Sequence, residues 1–193
     1  KRVIYSSTCA IYGDHTTLPF HEDLPPRPLS PYALQKYEGE LQCRLFSRIY
    51  ELETVSLRYF NVYGPRASSE GAYALVIGKL LAQKSRGEAL TIVPDGTQSR
   101  DFVHVRDVVR ANVRAAESPK VGNGEIINIS YGQEHSVREI ADLIGGPRVF
   151  IEPRLEPQHL CADSTRAHTL LNWQPEVEFE DGISELKKLY RII

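Results

Sequence analysis

Sulfur is scarce in this chain, and no long apolar run occurs. The 193 residues hold three cysteines, Cys9, Cys43 and Cys161, set far apart. That usage suits reduced thiols in a cytosolic protein and supplies neither a disulfide framework nor a zinc-ligand spacing. The six histidines stand outside any H-E-x-x-H or C-x-x-C setting, so no metal is expected. No apolar stretch reaches the length of a membrane span, and low-complexity tracts and internal repeats are missing. An excess of charge of one sign is missing too: 23 Lys and Arg against 25 Asp and Glu give a net charge of -2. With its basic residues dispersed, the chain offers no electrostatic footprint for nucleic acid. It opens directly on Lys1-Arg2-Val3, without methionine or leader, which predicts that it begins inside a longer polypeptide. Nor is there a G-x-G-x-x-G or G-x-x-G-x-x-G, the turn with which a strand and the following helix hold a pyrophosphate.

What is present reads as an ordinary globular chain, with 41% hydrophobic and 25% charged residues. Val3 to Ser6 is a short β-branched run suited to a buried parallel strand. Ser30 can cap a helix with Pro31 in its first turn, and that helix carries apolar residues at Leu34, Tyr37, Leu41, Leu45, Ile49 and Leu52. Such a stripe serves a core or the face of another subunit equally well. Further strands are predicted at Thr54–Tyr59, Leu90–Val93, Asp101–Val105, Glu125–Ile129 and Val149–Ile151, with a turn at Pro94-Asp95-Gly96. Helices are predicted at Tyr73–Ser85, Arg106–Glu117, Ser136–Ile144 and Asp181–Ile193. This alternation predicts an α/β protein, with parallel pairing first and smaller mixed elements later.

Within the first helix, "SPYALQK" places Tyr32 and Lys36 one turn apart. Residues four apart share a face, so an ammonium can lie beside the phenol and favour phenolate, turning a poor base into a usable one. Alone, Y-x-x-x-K also arises by chance on solvated helices.

The motifs "SSTCAIYG", "SPYALQK", "LRYFNVYGPR", "GAYALVI", "DGTQSRDFVHVRDV" and "NIS" follow one another in that order. Together they resemble the extended short-chain dehydrogenase/reductase family, and within it the UDP-hexose 4-epimerases, most closely those acting on N-acetylated sugars. The resemblance implies the C-terminal part of a Rossmann-like doubly wound parallel sheet plus a smaller mixed α/β substrate-binding region. Residues 1–65 would carry the last strands and helix of the NAD-binding domain. Residues 66–193 would mainly bind nucleotide sugar, with some segments returning to the sheet.

The resemblance also implies roles. Thr8, Tyr32 and Lys36 would be catalytic, and Ser6, Ser7, Tyr32, Lys36 and Tyr59 would meet NAD. Thr8, Asn61, Ala74, Leu75, Val76, Arg100 and Arg154 would meet the UDP-sugar, with the segment from Ala72 to Ile77 along the uridine and Arg100 on the diphosphate. A guanidinium fork suits two phosphate oxygens. The implied reaction is NAD-dependent C4 epimerisation of a UDP-hexose or UDP-N-acetylhexosamine through a transient 4-keto sugar, in a cytoplasmic homodimer.

Two positions depart from the family pattern. The second diphosphate arginine usually sits in R-x-G-D, whereas "PRLEPQHLCADST" offers Arg154 without the Gly-Asp. Leu160 stands where relatives decide whether an N-acetyl group fits, and leucine is of intermediate size. Dehydratases and Glu-dependent decarboxylases need acids just after the threonine, where this chain has Cys9-Ala10. Without a pyrophosphate turn the 193 residues alone are expected to be inactive, the alternative being a non-catalytic piece that binds nucleotide sugar or a partner subunit.

Overall fold

The computed structural model describes residues 1–71, 74–93, 95–152 and 158–192. Ala72, Tyr73, Pro94, Arg154 and Ile193, all named above, lie outside the described residues.

Three parallel strands form the main sheet in the order β1-β2-β5, with β1 spanning Arg2–Thr8, β2 Glu53–Tyr59 and β5 Asn123–Ile129. Their buried apolar residues are β-branched or aliphatic, as two covered faces require: Val55, Leu57, Ile127 and Ile129 are fully enclosed, and the polar Ser7, Arg58 and Asn128 are buried among them. Helix α1 (Pro31–Tyr50) crosses from β1 to β2. Helices α3 (Val105–Glu117) and α5 (Thr165–Leu171) contribute Val108, Ala111, Ala115, Ala167 and Leu171 to a core that includes Trp173.

A second core lies among α2 (Val76–Ser85), α4 (Val137–Ile144) and α6 (Phe179–Leu189), centred on Leu80, Leu81, Ile140, Phe102 and Phe179. Two small pairings accompany it. β3 (Leu90–Ile92) runs parallel to β7 (Arg148–Phe150), and β4 (Ser99–Asp101) runs antiparallel to β6 (Glu134–Ser136). Parallel pairing in the main sheet and mixed pairing outside it agree with the order of elements in the sequence.

Boundaries moved where local chemistry outweighed periodicity. The extended piece predicted at 101–105 is strand only through Asp101, and α3 starts at Val105, because His104 caps it by accepting from the Arg106 N–H. Ser136 and Glu139 form a reciprocal capping box for α4. The terminal helix covers Phe179–Leu189 rather than running from Asp181 to the end. β6 and α5 escape a sequence reading because Glu134-His135-Ser136 is polar, without the apolar run that marked β3 and β7, and the seven residues of α5 are too few to show a helical period.

The stripe on α1 stays outside the core: Leu34, Leu41, Leu45 and Ile49 are 46%, 44%, 51% and 58% exposed, respectively. The opposite face packs on the sheet through small and polar groups. Gly39 permits the close approach there, since a Cβ would lie 2.2 Å from the Tyr5 hydroxyl and the ring would have to shift. Thr54 Oγ1 donates to the Cys43 carbonyl at 2.8 Å, and Ser47 Oγ to the Gly122 carbonyl at 3.0 Å. Among the described residues no helix is long and apolar enough to cross a membrane.

Candidate active site and substrate cleft

The carboxyl ends of the parallel strands lie side by side, Thr8 opposite Tyr59 and Tyr59 opposite Ile129. Ligands of open α/β sheets bind at such ends. Thr8 is nearly buried, and its Oγ1 accepts the Ala10 N–H at 3.2 Å, capping a 3-10 turn over Cys9–Tyr12. With one lone pair so used, the Thr8 hydroxyl keeps its hydrogen free to donate. Burial raises the neighbouring Cys9 thiol to about 11, and Cys9 packs against the cluster of Tyr12, Phe20, Phe60 and Ala162.

Ser30 caps α1 by accepting the Ala33 N–H at 3.1 Å, with Pro31 in the first turn. Tyr32 is 45% exposed. Lys36 Nζ donates to the Ser6 carbonyl at 2.9 Å and lies 5.2 Å from the centre of the Tyr5 ring. Ser6 Oγ and Tyr59 Oη are 3.2 Å apart, and Tyr59 Oη donates to Asn112 Oδ1 at 3.0 Å. Ser6, Lys36 and Tyr59 thus share one polar rim, with Tyr32 one turn before Lys36. Ser7 is turned inward instead, its Oγ donating to Glu40 Oε1 at 2.6 Å in the interior.

Two residues past β2 the chain enters a cleft of about 350 Å³ lined by Asn61, Ala74, Leu75, Val76 and Arg100, with Phe102 and Val137 also in its wall. These five come from three separate sequence motifs. Asn61 adopts a positive φ of 24° and donates from Nδ2 to the Asp101 carbonyl at 2.8 Å, which fixes the loop at the cleft wall. Arg100 donates from Nη1 to the Ser99 carbonyl at 2.8 Å. A larger, more open depression of about 700 Å³ lies between Leu18-Pro19 and the 161–165 segment and, among the described residues, contains none of the expected site residues.

Asp101, beside Arg100, is fully buried. Its carboxylate accepts backbone N–H groups from Tyr131, Gly132 and Ala162 at 2.8, 3.0 and 3.2 Å, tying two loops to β4. Burial outweighs these bonds and pushes its pKa up to about 7.

Lys79, Thr91, Val93, Gln98 and Ile151 also line the cleft and were not foreseen. They arrive from α2, β3 and flanking loops, and only the packing of those elements brings them together; Gln98, within "DGTQSRDF", was the one with a motif to flag it. Leu160 packs beside Tyr12, Phe20, Phe60 and Ala162. Among the described residues no group of His, Cys, Asp and Glu could hold a metal ion.

Residues 1–130 match the model of the NAD dependent epimerase/dehydratase family. The chain belongs to this family. It is 35% identical to the UDP-glucose 4-epimerase of Mycolicibacterium smegmatis, across 99% of this chain and 63% of that protein. Its fold superposes with a TM-score of 0.93 on the UDP-N-acetylglucosamine 4-epimerase from Methanobrevibacter ruminantium in complex with UDP-N-acetylmuramic acid, at 34% identity over 99% of this chain and 63% of that one. The UDP-glucuronic acid 4-epimerase from Bacillus cereus, in complex with UDP-glucuronic acid and NAD, gives a TM-score of 0.85 at 34% identity, over 98% of this chain and 62% of that one. The chain therefore spans less than two thirds of the length of these relatives.

Members of this epimerase/dehydratase family depend on NAD. The exposed Lys36 ammonium and the Ser6 and Tyr59 hydroxyls fit the polar nicotinamide-ribose end of such a cofactor. The glycine-rich turn that would hold its pyrophosphate is not among these 193 residues.

Proposed function

We propose that this chain supplies the Tyr32–Lys36 pair and the sugar-nucleotide cleft of a UDP-hexose or UDP-N-acetylhexosamine 4-epimerase. One observation carries this reading: Asn61, Ala74, Leu75, Val76 and Arg100, drawn from three separate motifs, line a single cleft that opens from the carboxyl end of β2. In this reading residues 1–65 form the cofactor side and most of 66–193 the substrate side, with β5 returning to the sheet.

Bound NAD would supply the hydride acceptor and donor at the sugar C4. The chain's own residues handle position and protons. Arg100 grips the diphosphate, while Ala74, Leu75 and Val76 lie along the uridine. The Tyr32 phenolate takes the proton of the sugar 4-hydroxyl and later returns it, and Lys36 stabilises that negative oxygen. Thr8, its lone pair already engaged by Ala10, donates its hydrogen to the same oxygen. A transient 4-keto sugar that turns over between the two proton transfers gives the C4 epimer without net redox change. Arg154 is proposed as the second diphosphate contact from its place in the sequence alone.

The exposed α1 stripe supports a homodimer built across that helix, since a row of half-exposed leucines is costly to leave in water. The 193 residues alone are proposed to be inactive. The test is C4 interconversion of UDP-glucose and of UDP-N-acetylglucosamine by the complete polypeptide that carries this chain. Tyr32→Phe should lower kcat by a factor of roughly 100 or more with UDP and NAD binding retained. Unchanged turnover removes Tyr32 from the reaction.

A further inference from the structure

Glu40 is the most enclosed ionisable group on α1, fully buried on a helix whose other buried residue is Ala33. It lies one turn beyond Lys36 and two turns beyond Tyr32, on the same face. Its Oε1 accepts from Arg58 Nε at 2.9 Å and from Ser7 Oγ at 2.6 Å, and its Oε2 accepts from Arg58 Nη2 at 2.7 Å. Arg58 is 1% exposed and stands on β2 directly opposite Ser7 of β1. Its guanidinium also lies 4.7 Å from the centre of the Tyr12 ring, and Tyr12 Oη donates to Asn128 Oδ1 of β5 at 2.6 Å.

One carboxylate therefore joins the helix to two strands, and through Arg58 and Tyr12 to the third. Stability does not explain such a pair. Enclosing two charges costs about what their attraction returns, and apolar residues of the same volume usually do as well. What a bidentate fork adds is direction: sliding or rotating α1 breaks three short bonds at once. Among the described residues, the other side-chain bonds from this helix face to the sheet are single ones to or from a backbone carbonyl, those of Lys36 with Ser6, Cys43 with Thr54 and Ser47 with Gly122.

We propose that the Glu40–Arg58–Ser7 cluster is a positioning device that sets the depth and rotation of α1, and so places Tyr32 and Lys36 against Thr8. Ser7 then serves this network rather than touching the cofactor directly. The inference rests on the proposed epimerase reading, in which a proton passes at Tyr32. A displacement of about 1 Å at a reacting group can cost on the order of 100-fold in rate.

The test uses the complete polypeptide with two changes, the volume-matched pair Glu40→Leu with Arg58→Leu, and Glu40→Asp alone. The pair removes both charges together and so leaves no lone buried ion. The single change keeps the charge and withdraws it by one methylene. Melting temperature, kcat and the Kd for UDP are measured for each. The expected result is a kcat lowered at least tenfold in both, with UDP affinity within twofold, since the cleft stands on α2 and β4. A kcat within threefold of wild type in both overturns the proposal, as does an equal loss of kcat and UDP affinity. If the double variant does not fold, Glu40→Asp decides by the same criteria. If the wild type itself interconverts no UDP-sugar, the epimerase reading fails separately. Crystal structures of wild type and Glu40→Asp then decide, with α1 displaced on β1 by about 1 Å supporting the positioning role and coincident helices refuting it.

Discussion

Replacing Asp101 by asparagine should remove a dependence of stability on pH whose sign is opposite to that of an ordinary salt-bridged carboxylate. Asp101 is enclosed between β4 and two loops, and burial raises its pKa from the usual 3.8 to about 7. A raised folded-state value means that the native state binds the proton more tightly than the unfolded chain between about pH 4 and pH 7. The contribution is fully present below the unfolded value and is lost as pH rises through about 7. Taking those two values, the wild type gains roughly 2 to 3 kcal/mol between pH 8 and pH 5 from this group. Other groups titrate as well: burial depresses His104 and His135, and hydrogen bonds from Thr165 depress Asp163. The informative quantity is therefore the difference between wild type and Asp101→Asn, in which distant groups cancel. Urea denaturation of the 193-residue chain, followed by the fluorescence of its single, buried tryptophan Trp173, gives both stabilities at each pH. The wild type should pull ahead of the variant by that amount on going from pH 8 to pH 5. A flat difference, or one that grows with pH, would show that the three backbone N–H bonds outweigh burial and that Asp101 is ionised throughout.

If Arg100 grips the diphosphate as proposed, Arg100→Met should weaken UDP binding by tenfold or more while leaving uridine binding within about twofold; calorimetric titration with both ligands checks this. Gly182→Ala should destabilise the chain by about 2 kcal/mol, since its new Cβ would lie 2.3 Å from the Tyr63 hydroxyl inside a filled aromatic cluster, and thermal melting reads the loss. Leu41→Glu with Leu45→Glu on the exposed stripe of α1 should convert a dimer of the complete polypeptide to monomer in sedimentation velocity, with its secondary structure unchanged.

Local signals in the sequence determined much of this protein. Ser30-Pro31 marks where α1 begins, the β-branched runs mark β1, β2 and β5, and the ordered motifs mark the family and the residues that line the cleft. Those features are written over a few neighbouring residues, where capping, alternation and steric preference act. The sequence left open whether the stripe on α1 faces a core or another molecule, and the fold leaves it exposed because the helix packs on the sheet with its glycine and polar side. β6 is polar throughout and α5 spans only seven residues, so neither carried an apolar run or a full helical period to mark it. The interior ionic network was equally invisible: Ser7, Glu40 and Arg58 are up to 51 positions apart in the chain and look like ordinary surface residues. Only the register of β1 on β2 and the crossing of α1 bring them within hydrogen-bonding distance. Burial, which no sequence position states, then turns a serine and two charges into a constraint on where Tyr32 can stand, and raises the carboxyl of Asp101 toward neutrality.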